Sequence, residues 1–430
     1  MHTETAPLDP QALREQARQV LALNDRGHYT VPTHGLYPFQ WNWDSCLTAL
    51  GQQAFDEARA WVEIETLVAH QWPDGMVPHI VFHQHDDGYF PGPQVWGTGR
   101  PTPTSGITQP PVLGLVLEQL WRRSERRDAM RERCIALLRA ADRWHAWFHR
   151  YRDPAGTGLV ALLHPWESGR DNSCDFDAAL AAVPVEGLQP YQRRDTQHVD
   201  PSQRPTMAEY DRFVCLVQTF RAQAWQASVL HDVSPFRVVD PGFNAILIRS
   251  DRALERLAGE LGEPAIAQAA ADRARRGAQA LESLWSERLG QYVCWDRCAG
   301  APVDSASIGG LLPVLALEPG HPRLAALVAR IGQWLDAAPY GVCSHDPADP
   351  RFDPRRYWRG PSWLIVNYLL AHGLREAGQG VLAQRIRNVS LASIGRSGCS
   401  EYYHPMTGEA LGGGTFTWTA AMVIEFLRPA

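Results

Sequence analysis

Apolar periodicity constrains this chain more than any other feature. About a dozen segments repeat apolar side chains at helical spacing, and strand alternation is nearly absent. The first follows Asp9-Pro10, with Leu13, Ala17, Val20 and Leu21 on one face. Others are predicted from Asp44 through Leu47 and Leu50, then over 55–70, 112–123, 128–151, 209–230, 240–261 and 263–285. The rest cover 308–317, 322–337, 362–377, 381–394 and 416–427, and Gln291 to Trp295 predicts one short strand.

Short turns and long Gly/Pro-rich loops alternate between these segments. Short turns pair consecutive helices as antiparallel hairpins, with the Gly51 region as the first such turn. Six hairpins in a ring give an inner and an outer layer, with the long loops collected over one mouth. No sequence repeat marks a solenoid. The expected fold is therefore all-α: a single (α/α)6 barrel over residues 1–430, which is long enough for one. Lid-like loops are expected near 71–109 and 183–208. The first holds His79, His83, His85, Tyr89, Phe90 and Trp96, too many rings for a disordered insertion. Its His residues lack an HExxH or CxxC context, so loop packing is preferred to metal binding.

Several function classes are excluded. A net charge of −6 offers no basic field for nucleic acid. No apolar window is long enough for a membrane span, and the N-terminus has no signal-peptide pattern. Among eight Cys only Cys294 and Cys298 are close, and no zinc pattern accompanies them; the set fits buried, reduced thiols in a cytoplasmic protein. GxSxG, GxGxxG and GxxxxGK[ST] are all missing, so neither a cofactor nor a metal is expected. A small-molecule partner is expected, and a homo-oligomer is left open.

Tryptophan is over-represented, at 16 residues, many of them beside Gly, Pro, Asp or Arg. Indole faces stack on the C–H faces of sugars, while other indoles fill a helical core. Three loops join such rings to charges ahead of a helix: Gln40-Trp41-Asn42-Trp43-Asp44, His164-Pro165-Trp166-Glu167-Ser168-Gly169-Arg170-Asp171-Asn172-Ser173, and Tyr357-Trp358-Arg359-Gly360-Pro361-Ser362-Trp363. A fourth runs from Glu401 to Glu409 and on to Trp418. Carboxylates among aromatics, with no metal or cofactor motif, suggest acid–base cleavage of a glycosidic bond. Helix capping is the competing account of Asp44, and an ion pair with Arg170 that of Glu167. Within the 164–173 loop, residue type alone leaves Glu167 and Asp171 equal candidates.

The last three loops, together with Phe416-Thr417-Trp418-Thr419-Ala420-Ala421, resemble glycoside hydrolase family 63 in order and over nearly the whole chain. The resemblance implies an (α/α)6 barrel, inversion at the anomeric carbon, Asp171 as general acid and Glu401 as general base. Inverting carboxyls stand roughly 6.5–9.5 Å apart, leaving room for a water. Glu167 is then left a scaffold role. Gly106-Ile107-Thr108-Gln109-Pro110-Pro111 and the segment from Asp200 to Arg212 look most like the family's bacterial glucosylglycerate and mannosylglycerate hydrolases. That resemblance implies Tyr37, Tyr89, Gln109, Arg204, Tyr210, Tyr357 and Trp358 around a glycerate. It implies Trp41, Trp43, Asp44, Trp166 and Arg170 around the sugar, with Gly169, Trp363 and Trp418 completing the substrate contacts. Arg204 would offer its guanidinium fork to the glycerate carboxylate; an ion pair with Asp195 or Asp200 is the competing account. Met207 departs from the polar residue expected there. A neutral α-glucoside or disaccharide is the alternative substrate. A non-hydrolytic epimerase, lyase or sugar-binding protein is the alternative class, with His79, His83 and Tyr89 as a loose lyase set.

Overall fold

Helices with one apolar stripe and helices apolar all round take different places in a layered structure. A computed structural model describes residues 9–197 and 199–428. Its helices are α1 Pro10–Asn24, α2 Asn42–Gln52, α3 Glu57–Val68, α4 Pro93–Trp96, α5 Leu113–Arg123, α6 Arg127–Tyr151, α7 Asp177–Ala181 and α8 Met207–Ala222. They continue as α9 Ala227–Val233, α10 Pro241–Leu261, α11 Pro264–Leu281, α12 Leu324–Ala337, α13 Leu364–Glu376, α14 Gly380–Ser397 and α15 Thr417–Leu427.

Every residue of α2 is buried, as are Thr417 to Phe426 of α15. These helices belong to the inner layer. By contrast α1 buries only Leu13, Ala17, Val20, Leu21 and Asn24, and α11 only Ala270, Arg273, Ala274, Gly277 and Leu281, each one stripe at helical spacing. These lie outside. Inner α2, α5, α10 and α13 are each packed by the next outer helix of the ring, α3, α6, α11 and α14. The last hairpin joins the two ends of the chain, α15 and α1. Inner neighbours touch in order, and α15 returns onto α2, which closes the ring as an (α/α)6 barrel.

Three expectations about the helices need correction. The apolar run over 308–317 is not an α-helix but two 3-10 turns, Ile308–Gly310 and Leu312–Leu315. It is buried as an inner element should be, yet Gly309 and Gly310 weaken a helix and Pro313 removes a donor from it. The segment 209–230 splits into α8 and α9, because Ala224 and Trp225 take φ of 48° and 60°. Gly51 is not a turn. It lies inside α2, and a Cβ there would sit 2.7 Å from that of Ala421, so it lets α15 close the ring.

Strand content is small. Gln40–Trp41 pairs with Ile80–Val81 and ties the first long loop to the start of α2. Gln291–Tyr292 and Trp295–Asp296 are short strands in two separate sheets, where one strand was expected. Tyr402–Tyr403 pairs with Ala410–Leu411 in a hairpin that begins just after Glu401. The long loops gather at the end where the inner helices start. Helix N-termini carry partial positive charge, so that end suits acidic groups.

Candidate active site

The pocket at this end encloses about 840 Å³, its open mouth included. Its floor and walls come from the segments ahead of the inner helices. Trp41, Trp43 and Asp44 come from the start of α2, Gln109 from the approach to α5, and Trp418 from α15. Tyr357 and Trp358 precede α13, while Trp166, Gly169 and Asp171 come from the 164–173 loop. Tyr37 and Glu401 complete the inner wall. The two long loops supply the rest: Tyr89 from the first, Arg204 from the second, and Tyr210 from α8 just beyond it.

The Asp171 loop is fixed almost atom by atom. Pro165–Ser168 forms a 3-10 turn that ends at Gly169, in the left-handed region at φ 67°. A Cβ on Gly169 would lie 2.6 Å from the Trp43 ring, so only glycine suits both the turn and its neighbour. Ser168 Oγ donates to the Pro165 carbonyl at 2.6 Å and accepts from the Arg170 amide at 2.8 Å. Glu167 accepts from the Leu163 amide at 2.8 Å and from Arg152 at 2.7 Å. Asn172 Oδ1 accepts from the Trp358 amide at 3.0 Å, joining this loop to the one ahead of α13. Asp171 itself faces the pocket. Apart from its own amide, no donor among the described residues reaches its carboxyl. Desolvation pushes its pKa up to about 7; Arg204 opposes the shift, while the charges of Glu401 and Asp195 add to it.

Glu401 has the opposite surroundings. It is 1% exposed and ion-paired with Arg204, Nη2 to Oε2 at 3.0 Å. Tyr37 Oη donates to Oε1 at 3.2 Å, and the Gly413 amide donates to Oε2 at 2.9 Å. Gly412, at φ 68°, stands where any Cβ would collide with Oε2. Behind it, Trp418 donates to the Glu401 carbonyl at 3.3 Å, and Trp363 stacks on Tyr402 at 4.4 Å. Asp44 is a third carboxyl in the pocket, 6% exposed. Desolvation raises it well above the usual carboxylate range, and the charges of Glu401 and Asp171 push the same way.

Two of the expected substrate contacts lie behind the lining. Arg170 is held by Asp240, with Ser307 at 3.2 Å and Asp175 at 3.4 Å. Asp240 also caps α10, accepting from the Phe243 amide at 3.0 Å, so Arg170 bolts the loop to an inner helix. Trp363 stacks under Trp358, 3.8 Å between ring centres and 5° between planes. Three competing accounts also change. Glu167 pairs with Arg152 rather than Arg170. Arg204 pairs with Glu401 rather than Asp195 or Asp200. Asp44 sits inside α2, after a cap position held by Trp41, and is no cap itself. Met207 opens α8 with 55% exposure and is not part of the pocket wall. Nor is His83, which is hydrogen-bonded to Gln40 at 2.8 Å and stacked on Tyr29.

Pro32, His79, Phe90, Pro91, Asp195, Pro205 and Phe416 also line the pocket. His79 and Phe90 were visible as rings in a long loop, and Asp195 as a charge near Arg204. Phe416 stood only at the start of a matched motif, and the prolines carried no chemical signal. Burial holds His79 neutral, its pKa down to about 3. No group of His, Cys, Asp and Glu among the described residues is arranged to hold a metal ion.

A closed double ring of helices, with an unpaired carboxyl and an ion-paired one facing a single aromatic pocket, defines a glycoside hydrolase of the (α/α)6 class. Residues 37–419 match the family described as the mannosylglycerate hydrolase MGH1-like glycoside hydrolase domain. The chain belongs to this family, a branch of glycoside hydrolase family 63. It is 44% identical over 428 residues to mannosylglycerate hydrolase MGH1 of Selaginella moellendorffii, covering 99% of this chain and 87% of that one. It is 35% identical over 449 residues to the glucosylglycerate hydrolase of Mycolicibacterium hassiacum, covering 97% and 98%. Among solved structures, the mannosylglycerate hydrolase of Thermus thermophilus in complex with Tris and D-glycerate superposes with a TM-score of 0.93. It shares 46% identity over 97% of this chain and 100% of that one. The same enzyme in complex with glucose gives 0.89 at 45% identity, with the same coverage.

Proposed function

We propose that this enzyme hydrolyses an α-glycosylated glycerate, releasing mannose or glucose with inversion of the anomeric carbon. Asp171 is the general acid and Glu401 the general base. The observation that carries this reading is the contrast between the two carboxyls. Asp171, desolvated and without a cation on it, keeps a proton to near pH 7 and can give it to the leaving oxygen. Glu401, ion-paired and hydrogen-bonded, is the group that takes a proton from water. The bond from the anomeric carbon to the glycerate oxygen breaks as the water oxygen bonds from the opposite face.

The sugar lies among Trp41, Trp43, Trp166 and Trp418, with Asp44 and Gln109 as hydroxyl partners. Gln109 is held in place by the Trp43 amide at 3.1 Å. Tyr37, Tyr89, Tyr210 and Tyr357 surround the aglycone side with phenols, and Arg204 supplies the one guanidinium among the lining residues. That cation favours an acidic aglycone over a neutral glucoside. The stretches 71–109 and 183–208 act as lids over a single catalytic domain. Phe90 of one stacks on Tyr191 of the other at 5.0 Å. No helix among the described residues is long and apolar enough to cross a membrane. Eight free thiols, seven of them buried, support a cytoplasmic setting.

The test is release of sugar from mannosylglycerate, glucosylglycerate, the matching glycosylglycerols and small disaccharides. The glycerates should be the preferred substrates. Asp171→Asn and Glu401→Gln should each abolish turnover in a protein that circular dichroism shows to be folded. Full activity in either variant, or preference for the glycerols, would contradict the assignment.

A further inference from the structure

Glu401 has no acceptor position to spare. A carboxylate offers about four lone-pair positions, and donors occupy all of them. Oε1 accepts from Tyr37 Oη at 3.2 Å and Arg204 Nη1 at 3.4 Å; Oε2 accepts from Arg204 Nη2 at 3.0 Å and the Gly413 amide at 2.9 Å. A general base needs a hydrogen bond from the water it activates. One donor must therefore leave first.

Gly413 is the least able to leave. Its carbonyl accepts from the Glu401 amide at 2.8 Å, so the backbone pairs the two residues. Tyr37 is held by Arg204, whose Nη1 donates to its oxygen at 2.9 Å. Arg204 accounts for two of the four contacts and is the donor a substrate can compete for. Its Nε is buried and has no hydrogen-bond partner among the described residues. The Tyr357 ring lies 4.8 Å from the guanidinium carbon and offers an aromatic face along which the group can move.

We propose that Arg204 is a clamp operated by the substrate: the carboxylate of the aglycone draws the guanidinium off Glu401, and this frees the lone pair that the attacking water needs. The inference rests on the glycerate reading above. Arg204 is then a positioning residue, and the charge of the aglycone is read in turnover as well as in affinity. A neutral aglycone leaves the base occupied.

A glycosyl fluoride tests this, because fluoride leaves without a proton and the base step is retained. 3-Hydroxypropionate is glycerate without the oxygen that fluoride replaces, so the two fit the pocket together. Adding it to the wild-type enzyme should raise turnover of the glycosyl fluoride about tenfold, the scale of one charge-assisted hydrogen bond. Arg204→Gln should hydrolyse the fluoride faster than wild type does alone and should not respond to the carboxylate. Inhibition or no response in wild type overturns the clamp, and that measurement does not depend on the variant folding. If glycosylglycerates are not cleaved while the fluoride is, the glycerate reading has failed instead.

Discussion

Glu167 and Arg152 form an ion pair of 2.7 Å in which both side chains are only 1% exposed. The pair links the end of α6 to the loop that carries Asp171. Removing one partner of a buried pair strands the other charge, typically at 3–5 kcal/mol. Arg152→Met should therefore cost about 3 kcal/mol, read in chemical denaturation, and should lower kcat as the loop loosens. A double variant with Glu167→Gln should recover part of the stability. Additive losses would show that the pair is not what holds the loop.

Gly169→Ala tests the other end of the same turn. The substitution places a methyl 2.6 Å from the Trp43 ring in a backbone conformation at φ 67°. Strain of about 1–3 kcal/mol follows, along with displacement of a ring that lines the pocket. The expected result is a folded enzyme with kcat/KM down at least about tenfold. Unchanged kinetics would show that the Trp43 ring can move without consequence.

Asp171 sets a pH dependence. Its folded-state pKa is raised to about 7 from an ordinary value near 3.8. Between these values the unfolded chain has lost a proton that the folded enzyme keeps, so folding stability from this group falls as pH rises across that window. Asp171→Asn removes the effect. The variant should match wild type below about pH 4 and exceed it above pH 7 by on the order of 2 kcal/mol, allowing for the solvent that reaches the pocket. In wild type, kcat/KM should fall on the alkaline side with an apparent pKa near 7. A profile flat to pH 9 would contradict the assignment of Asp171 as the acid.

The two long loops meet at Phe90 and Tyr191, whose ring planes differ by 9°, and Tyr191 Oη donates to Asp211 at 2.6 Å. Tyr191 does not line the pocket. Tyr191→Ala should loosen the contact by about 1 kcal/mol, raising KM about fivefold with kcat within a factor of two. A larger loss in kcat than in affinity would place Tyr191 in the chemistry rather than in the contact between the loops.

Much of the ring was legible because its signal is local. Stripes such as Leu13, Ala17, Val20 and Leu21 mark an outer helix from its own residues. The inner position at 308–315 misled because apolar periodicity reports burial, whereas Gly309, Gly310 and Pro313 decide the winding. At the site, the rings and carboxyls of the loops were readable as chemistry. Their partners were not. The family resemblance set Arg170 against the sugar, yet its guanidinium is taken by Asp240, 70 residues away. Glu167 is paired by Arg152 from the preceding helix rather than by its neighbour Arg170. Arg204 reached Glu401 across 197 positions of sequence. Which charge meets which depends on ring closure, and ring closure leaves no mark in a local pattern.

The central claim is direct displacement at the anomeric carbon, with Asp171 and Glu401 on opposite faces of the sugar. Proton NMR of an α-glycosylglycerate during the first minutes of hydrolysis tests it most directly. The account predicts that the β-anomer of the free sugar appears first, and the α-anomer only as mutarotation follows. Initial formation of the α-anomer would mean retention, and would contradict the paired roles of Asp171 and Glu401.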